Sequence, residues 1–165
     1  MNNAAATPRP GPGITGPVVL IVAGGVVSQA AITRTAALAA GALVTVVGIE
    51  RIEASEISRT DAASRWPPRA GAEPEQVRRT VALAMSVLED TGVMAMGHIV
   101  TGSPARAVAR MARAGGARVV ILDQPGPSSG GQSAVGLMAE LRRRMYGSGI
   151  IVLAETDRRG GWVSV

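Results

Sequence analysis

The 165 residues include no cysteine, no lysine and no phenylalanine, and a single histidine, His98. Without cysteine there can be no disulfide framework, thiolate nucleophile or zinc–thiolate site. One histidine also excludes a multi-histidine metal centre. Without lysine, a P-loop lysine, a Schiff-base lysine and a Ser–Lys pair are all ruled out. All 17 basic residues are therefore arginine, a pattern we read as the compositional bias of a GC-rich coding sequence. Aromatic residues are nearly missing too, with two Trp and one Tyr, too few to build a base-stacking platform. The expectation from these absences is no catalytic residue and no metal ligand set. No long membrane span is present either. The apolar run from Pro17 to Val27 is broken by Gly24, Gly25, Ser28, Gln29 and Arg34 before it reaches the roughly 18–20 residues a bilayer requires. A cytoplasmic protein with no membrane partner is expected.

What remains is enough for one folded domain. Hydrophobic residues make up 47% and charged residues 18%, outside the range of disordered chains. Val, Ile, Leu and Ala must form the core, and the methionines Met85, Met94, Met96, Met111, Met138 and Met145 are expected to fill it in place of phenylalanine. The formal net charge of +5 permits attraction to polyanions. Arg106, Arg110 and Arg113, at i, i+4 and i+7, share one helical face, and Arg142, Arg143 and Arg144 fan around another. Both groups read as solvated surface, and no motif points to a specific nucleic-acid partner. His98, in an alternating segment with no acid or nucleophile signature beside it, reads as structural.

Five apolar runs alternate with four helical patterns. Val18–Val22 is continuous and reads as a strand buried on both faces. Ser28 is a suitable N-cap for a helix through Ala40, with Gly41 as its stop. Residues 42–49 form the second strand, and a long connection over 50–73 carries Trp66-Pro67-Pro68. Pro74 opens a helix whose Val77, Val81, Ala84, Met85 and Leu88 recur at helical spacing, and Gly92 ends it. The third strand covers 93–100, and Ser103-Pro104 starts a helix that stops at Gly115-Gly116. The fourth strand covers 117–122, the last helix runs from about Ser133 to Tyr146, and the fifth strand covers 149–154. The alternation predicts an α/β fold, a five-stranded parallel sheet in the order 3-2-1-4-5 with helices on both faces. Its limits are a flexible N-terminal tail over 1–16, the domain over 17–155 and a C-terminal tail over 156–165, in which Trp162-Val163 either stays loose or docks. Ligands in such sheets bind outside the carboxyl ends of the strands where the chain order reverses. The two loops at that point, 23–27 and 123–136, are the glycine-rich ones.

The second of these loops carries the identity signal. Asp123-Gln-Pro-Gly126 and, after nine intervening residues, Gly136-Leu137 resemble the G-x2-G-x9-G-(S/T) loop of the universal stress protein family. Thr101-Gly-Ser-Pro104 with Ala105-Arg-Ala-Val108 is similar to that family's G-D-P-x-x-x-I segment, and Ala114–Leu122 to its G-A-D-L-I-V-M segment. The resemblance covers about residues 17–154. It implies a Rossmann-like fold of the adenine nucleotide α-hydrolase type, a homodimer through the last strand, and ATP binding in some members. Gly126 and Gly136 fall at the family's second and third loop glycines and are the candidate cofactor-binding residues.

Three departures fall on that site. Asp123 stands where the first loop glycine belongs, and two negative charges about 4 Å apart repel by on the order of 1–4 kcal/mol. Leu137 replaces the hydroxyl residue, and losing such a bond to a charged group costs roughly 1.5–3 kcal/mol. Ala23-Gly24-Gly25 lacks the nucleoside-reading carboxylate of ATP-binding members. Together these changes are expected to weaken ATP binding by two to four decades, at about 1.4 kcal/mol per decade. The expectation is a non-enzymatic, dimeric regulatory or interaction domain with no cofactor, an impaired ATP site and an unidentified protein partner. The alternatives are an ATP/AMP sensor in which Ser128, Ser129, Gly130, Gly131 and Ser133 supply other donors, and a nucleotide hydrolase.

Overall fold

A computed structural model describes residues 15–23, 26–50, 73–124, 131–156 and 162–163. Its elements, in chain order, are β1 (Val18–Val22), β2 (Val27–Ser28), α1 (Gln29–Ala39), β3 (Val44–Ile49), α2 (Pro74–Asp90), β4 (Ala95–Val100), α3 (Pro104–Ala114), β5 (Val119–Gln124), α4 (Gly131–Met145), β6 (Ile151–Thr156) and β7 (Trp162–Val163). The connection carrying Trp66, the N-terminal tail and Gly126 lie outside the described residues.

The main sheet has five strands in the order β4-β3-β1-β5-β6, all parallel. In terms of the five predicted strands this is 3-2-1-4-5, as the alternation requires. β1 sits at the centre, with Val18 beside both Val44 and Val119. All five of its residues are buried, which is why its sequence is continuously apolar and does not alternate.

Alternate residues of each strand feed two cores. On one face Val18, Leu20, Val22, Val44, Val46, Val119 and Ile121 pack with α1 and α2. On the other, Val19, Ile21, Val47, Ile49, Val120 and Leu122 pack with α3 and α4. The α2 helix approaches its strands closely because they offer no side chain there. A Cβ on Gly48 would stand 2.4 Å from Val77 Cγ1, and one on Gly97 would stand 2.7 Å from Met85 Sδ.

Four details differ from the sequence expectations. The α4 helix begins at Gly131, about two residues before the predicted start, and Gly136, which fell both in that predicted helix and in the expected loop over 123–136, lies on the helix. The last main-sheet strand begins at Ile151, because Gly147 and Gly149, both at φ +74°, turn the chain first. The α1 helix stops one residue early: Ala40 itself takes the left-handed conformation, φ +46°, and donates its N–H to the Ala36 carbonyl. Finally, Met94 and Met96 are not core residues. They are 68% and 43% exposed, since β4, which holds Met96 and directly follows Met94, is an edge strand whose main helix contact among the described residues is α2. Met138 and Met145 are buried, and Met85 and Met111 partly so, as expected.

The C-terminal segment docks. Trp162 and Val163 pair antiparallel with Ser28 and Val27 in a second, two-stranded ladder. Among the described residues, no helix is long and apolar enough to cross a membrane.

Candidate functional site

The crevice outside the carboxyl ends of β1 and β5 is built from a strand end and a helix start. In the parallel ladder Val22 lies beside Asp123. Val119 and Ile121 face the α1 layer, so the period-two alternation of a strand sends Asp123 to that same side. There it meets the first turn of α1. Asp123 is 1% exposed. One of its carboxylate oxygens accepts the Ser28 backbone N–H at 2.7 Å, and the other accepts the Ser28 hydroxyl at 2.8 Å. The Ser28 Oγ in turn accepts the Ala31 N–H at 3.1 Å. Ser28 is thus the N-cap the sequence implied, with an extended backbone, and it is itself held from the far side of the crevice.

A carboxylate is suited to this place. The first turn of a helix presents unpaired N–H groups and a partial positive charge, and hydrogen bonds to an ionised acceptor are about twice as strong as neutral ones. Asp123 was expected to sit in the loop with its charge facing a phosphate. It is instead the fifth residue of β5, turned into the protein. Chemically the pair can bridge β5 to the β1–α1 turn and fix the mouth of the crevice.

The other residues singled out in the sequence are scattered. Gly136 is exposed in the second turn of α4, and a Cβ there would meet nothing within 4 Å. Leu137 is fully buried against the sheet, so a core side chain occupies the position of the family's hydroxyl. His98 is exposed on the edge strand β4. Among the described residues there is no group of three or more His, Asp or Glu placed to hold a metal ion. Sequence reasoning missed the ladder that brings Trp162 beside Ser28. Two residues are too few to give an alternation signal.

Solved structures match this architecture over most of the chain. A universal stress protein from Archaeoglobus fulgidus in complex with dAMP matches at a TM-score of 0.53 and 16% identity, over 86% of this chain and 98% of that one. The chain has the universal stress protein fold. A second A. fulgidus universal stress protein structure matches at a TM-score of 0.54 and 15% identity, over 86% of this chain and 93% of its own. A universal stress protein in complex with cAMP matches at 0.51 and 17% identity, over 87% and 98%. No family model and no curated relative matches the sequence. Within the universal stress protein fold, the contact between Asp123 and Ser28 lies at the reversal point of the strand order, between β1 and β5.

Proposed function

We propose that the chain is a non-enzymatic regulatory or interaction domain with the universal stress protein fold, cytoplasmic and dimeric through β6, in which the family's ATP site is impaired. The contact between Asp123 and Ser28 carries this reading. It places a fixed negative charge at the crevice and commits the start of α1 to an internal acceptor. Leu137, drawn into the core, removes a hydroxyl from the opposite wall. The non-enzymatic role is supported by the exposed position of His98 on β4, outside any cluster of three or more acidic or histidine residues among the described residues, and by the burial of Asp123.

The dimer reading rests on the position of β6 at the edge of the sheet, with Ile151 exposed beside a strand edge that has no partner strand among the described residues. Such an edge is prone to pair with another chain.

A second reading, an adenine-nucleotide sensor, is favoured by two observations. Two of the structures with this fold hold dAMP and cAMP. The Asp123 charge is also partly compensated by its hydrogen bonds, so its repulsion on a phosphate is smaller than its bare charge suggests.

Calorimetry of nucleotide-free protein with Mg-ATP, dAMP and cAMP separates the two. The proposed function expects no binding at millimolar nucleotide. Micromolar binding of any of the three would replace it with the sensor.

A further inference from the structure

Among the described residues, positive charge is concentrated on two helices. Helices α3 and α4 hold six arginines, Arg106, Arg110, Arg113, Arg142, Arg143 and Arg144, against one acid, Glu140. The two helices therefore carry a local formal charge of +5. The two helices pack on the same face of the sheet and against each other, and the Arg113 guanidinium donates to the Arg144 carbonyl across their junction. On the opposite face the described helices are balanced, with Arg34, Arg78 and Arg79 on α1 and α2 against Glu75, Glu89 and Asp90. On α1, Arg34 pairs with Glu155 at 2.9 Å, and on α2, Arg78 and Arg79 pair with Glu75 and Glu50.

The arginines of the basic face are available. Arg106, Arg110, Arg113, Arg142 and Arg143 are exposed. Glu140 engages Arg143 at 2.8 Å and Arg144 at 2.6 Å. Among the described residues, Arg106, Arg110 and Arg142 have no ion pair or hydrogen bond. No acid lies anywhere on α3 to neutralise the first two.

We propose that the α3–α4 face docks on the phosphodiester backbone of double-stranded nucleic acid, without reading its sequence. Arg106 to Arg113 extends about 10 Å along the helix at 1.5 Å per residue. A duplex carries roughly one charge per 1.7 Å of axis, so several phosphates lie within reach of that row. Base contact is not part of the proposal, because Tyr146, 92% exposed at the end of α4, is one aromatic where stacking on a single strand calls for several. A membrane surface fits less well. An interfacial helix inserts its apolar side among the acyl chains, and the apolar side of α3, Val108, Ala109 and Ala112, is already buried on the sheet.

The test is fluorescence anisotropy of the full chain with a random-sequence 20-base-pair DNA duplex over a series of salt concentrations. The plot of log K against log salt should slope between about −2.7, for the three unpaired arginines, and about −5.4, for all six. Arg106→Glu/Arg110→Glu should weaken binding at least tenfold at low salt and flatten the slope by about 1.8. Arg78→Glu/Arg79→Glu, the same change in net charge on the opposite face, should alter affinity less than twofold. Arg142→Glu alone, with a fivefold or smaller loss, checks the face should the double variant melt early. Equal losses from the two double variants would overturn the proposal, since net charge and not this face would then be responsible. So would no measurable binding in low salt, salt-insensitive binding of one preferred sequence, or equal competition by polyglutamate or by anionic phosphatidylserine vesicles at matched charge.

Discussion

Asp123 and Ser28, 95 positions apart in sequence, are joined by two hydrogen bonds of 2.7 and 2.8 Å that cross from the end of β5 to the first turn of α1. A substitution that looks like damage to a phosphate loop is thereby also a structural contact. Removing the carboxylate leaves a buried N–H and hydroxyl without an acceptor, each costing about 1–3 kcal/mol. Asp123→Ala is expected to lower unfolding free energy by about 3 kcal/mol, and Ser28→Ala by about 2 kcal/mol, of which the lost cap is about 1. The double variant should cost less than the sum, with a coupling of about 1 kcal/mol or more. Urea denaturation of the four proteins measures it, and additivity would show that the two residues act independently.

The close approach of α2 to the sheet gives a second expectation. A Cβ on Gly48 would lie 2.4 Å from Val77 Cγ1 and 2.7 Å from Val81 Cγ2, and neither is the end of a long side chain that can swing away. Gly48→Ala should destabilise by about 1–3 kcal/mol through overpacking. Adding Val77→Ala should recover part of that loss, although Val77→Ala alone is destabilising. A neutral Gly48→Ala in chemical denaturation would mean that α2 shifts freely on the strands.

The strands could be read from the sequence because each announced itself, and their order followed once the chain was taken to double back a single time. Val18–Val22 and Val119–Leu122 are continuous apolar runs, and the stops Gly41, Gly92 and Gly115-Gly116 each follow a helical stripe. The N-cap role of Ser28 was legible for the same local reason. Its second partner was not. Asp123 was placed by matching loop glycines, which says where a residue stands in a motif but not which way it points. The strand continues through Gln124, and only the alternation after Val119 and Ile121 turns the carboxylate toward α1. Met94 and Met96 failed for a related reason: composition shows that methionine is available for a core, but not that their strand lies at an edge. The distribution of arginine was visible as two helical clusters. That the clusters adjoin on one face is a property of the crossover connections.

Within the α1 layer, Thr35 is fully buried and its Oγ1 has no hydrogen-bond partner among the described residues. A buried hydroxyl without a partner costs on the order of 1–3 kcal/mol, whereas valine has nearly the same shape and comparable helix propensity. Thr35→Val is expected to raise stability by about 1 kcal/mol, read as a higher denaturation midpoint with an unchanged m-value. Loss of stability would reveal that the hydroxyl is bonded in solution.

Glu140 gives a pH-dependent expectation that also bears on the basic face. Its carboxyl is held below the ordinary value of 4.5, first by the hydrogen bond from Arg143, with Arg144 adding to it against the opposing effect of burial. A folded-state pKa below the unfolded one stabilises the protein above the unfolded value, and the contribution is lost as pH falls through the folded value. Glu140→Gln should therefore be less stable than the parent at pH 7, and the difference should shrink as pH falls below the ordinary value of 4.5 and vanish once the folded-state carboxyl is protonated. Salt at about 1 M should shrink it at neutral pH, because the pair is near solvent. The same variant releases Arg143 and Arg144 from their internal acceptor. If the α3–α4 face meets phosphates, Glu140→Gln should bind duplex DNA more tightly and with a steeper salt slope while folding less stably. A variant that loses stability and gains affinity together separates a docking role for these arginines from a purely structural one.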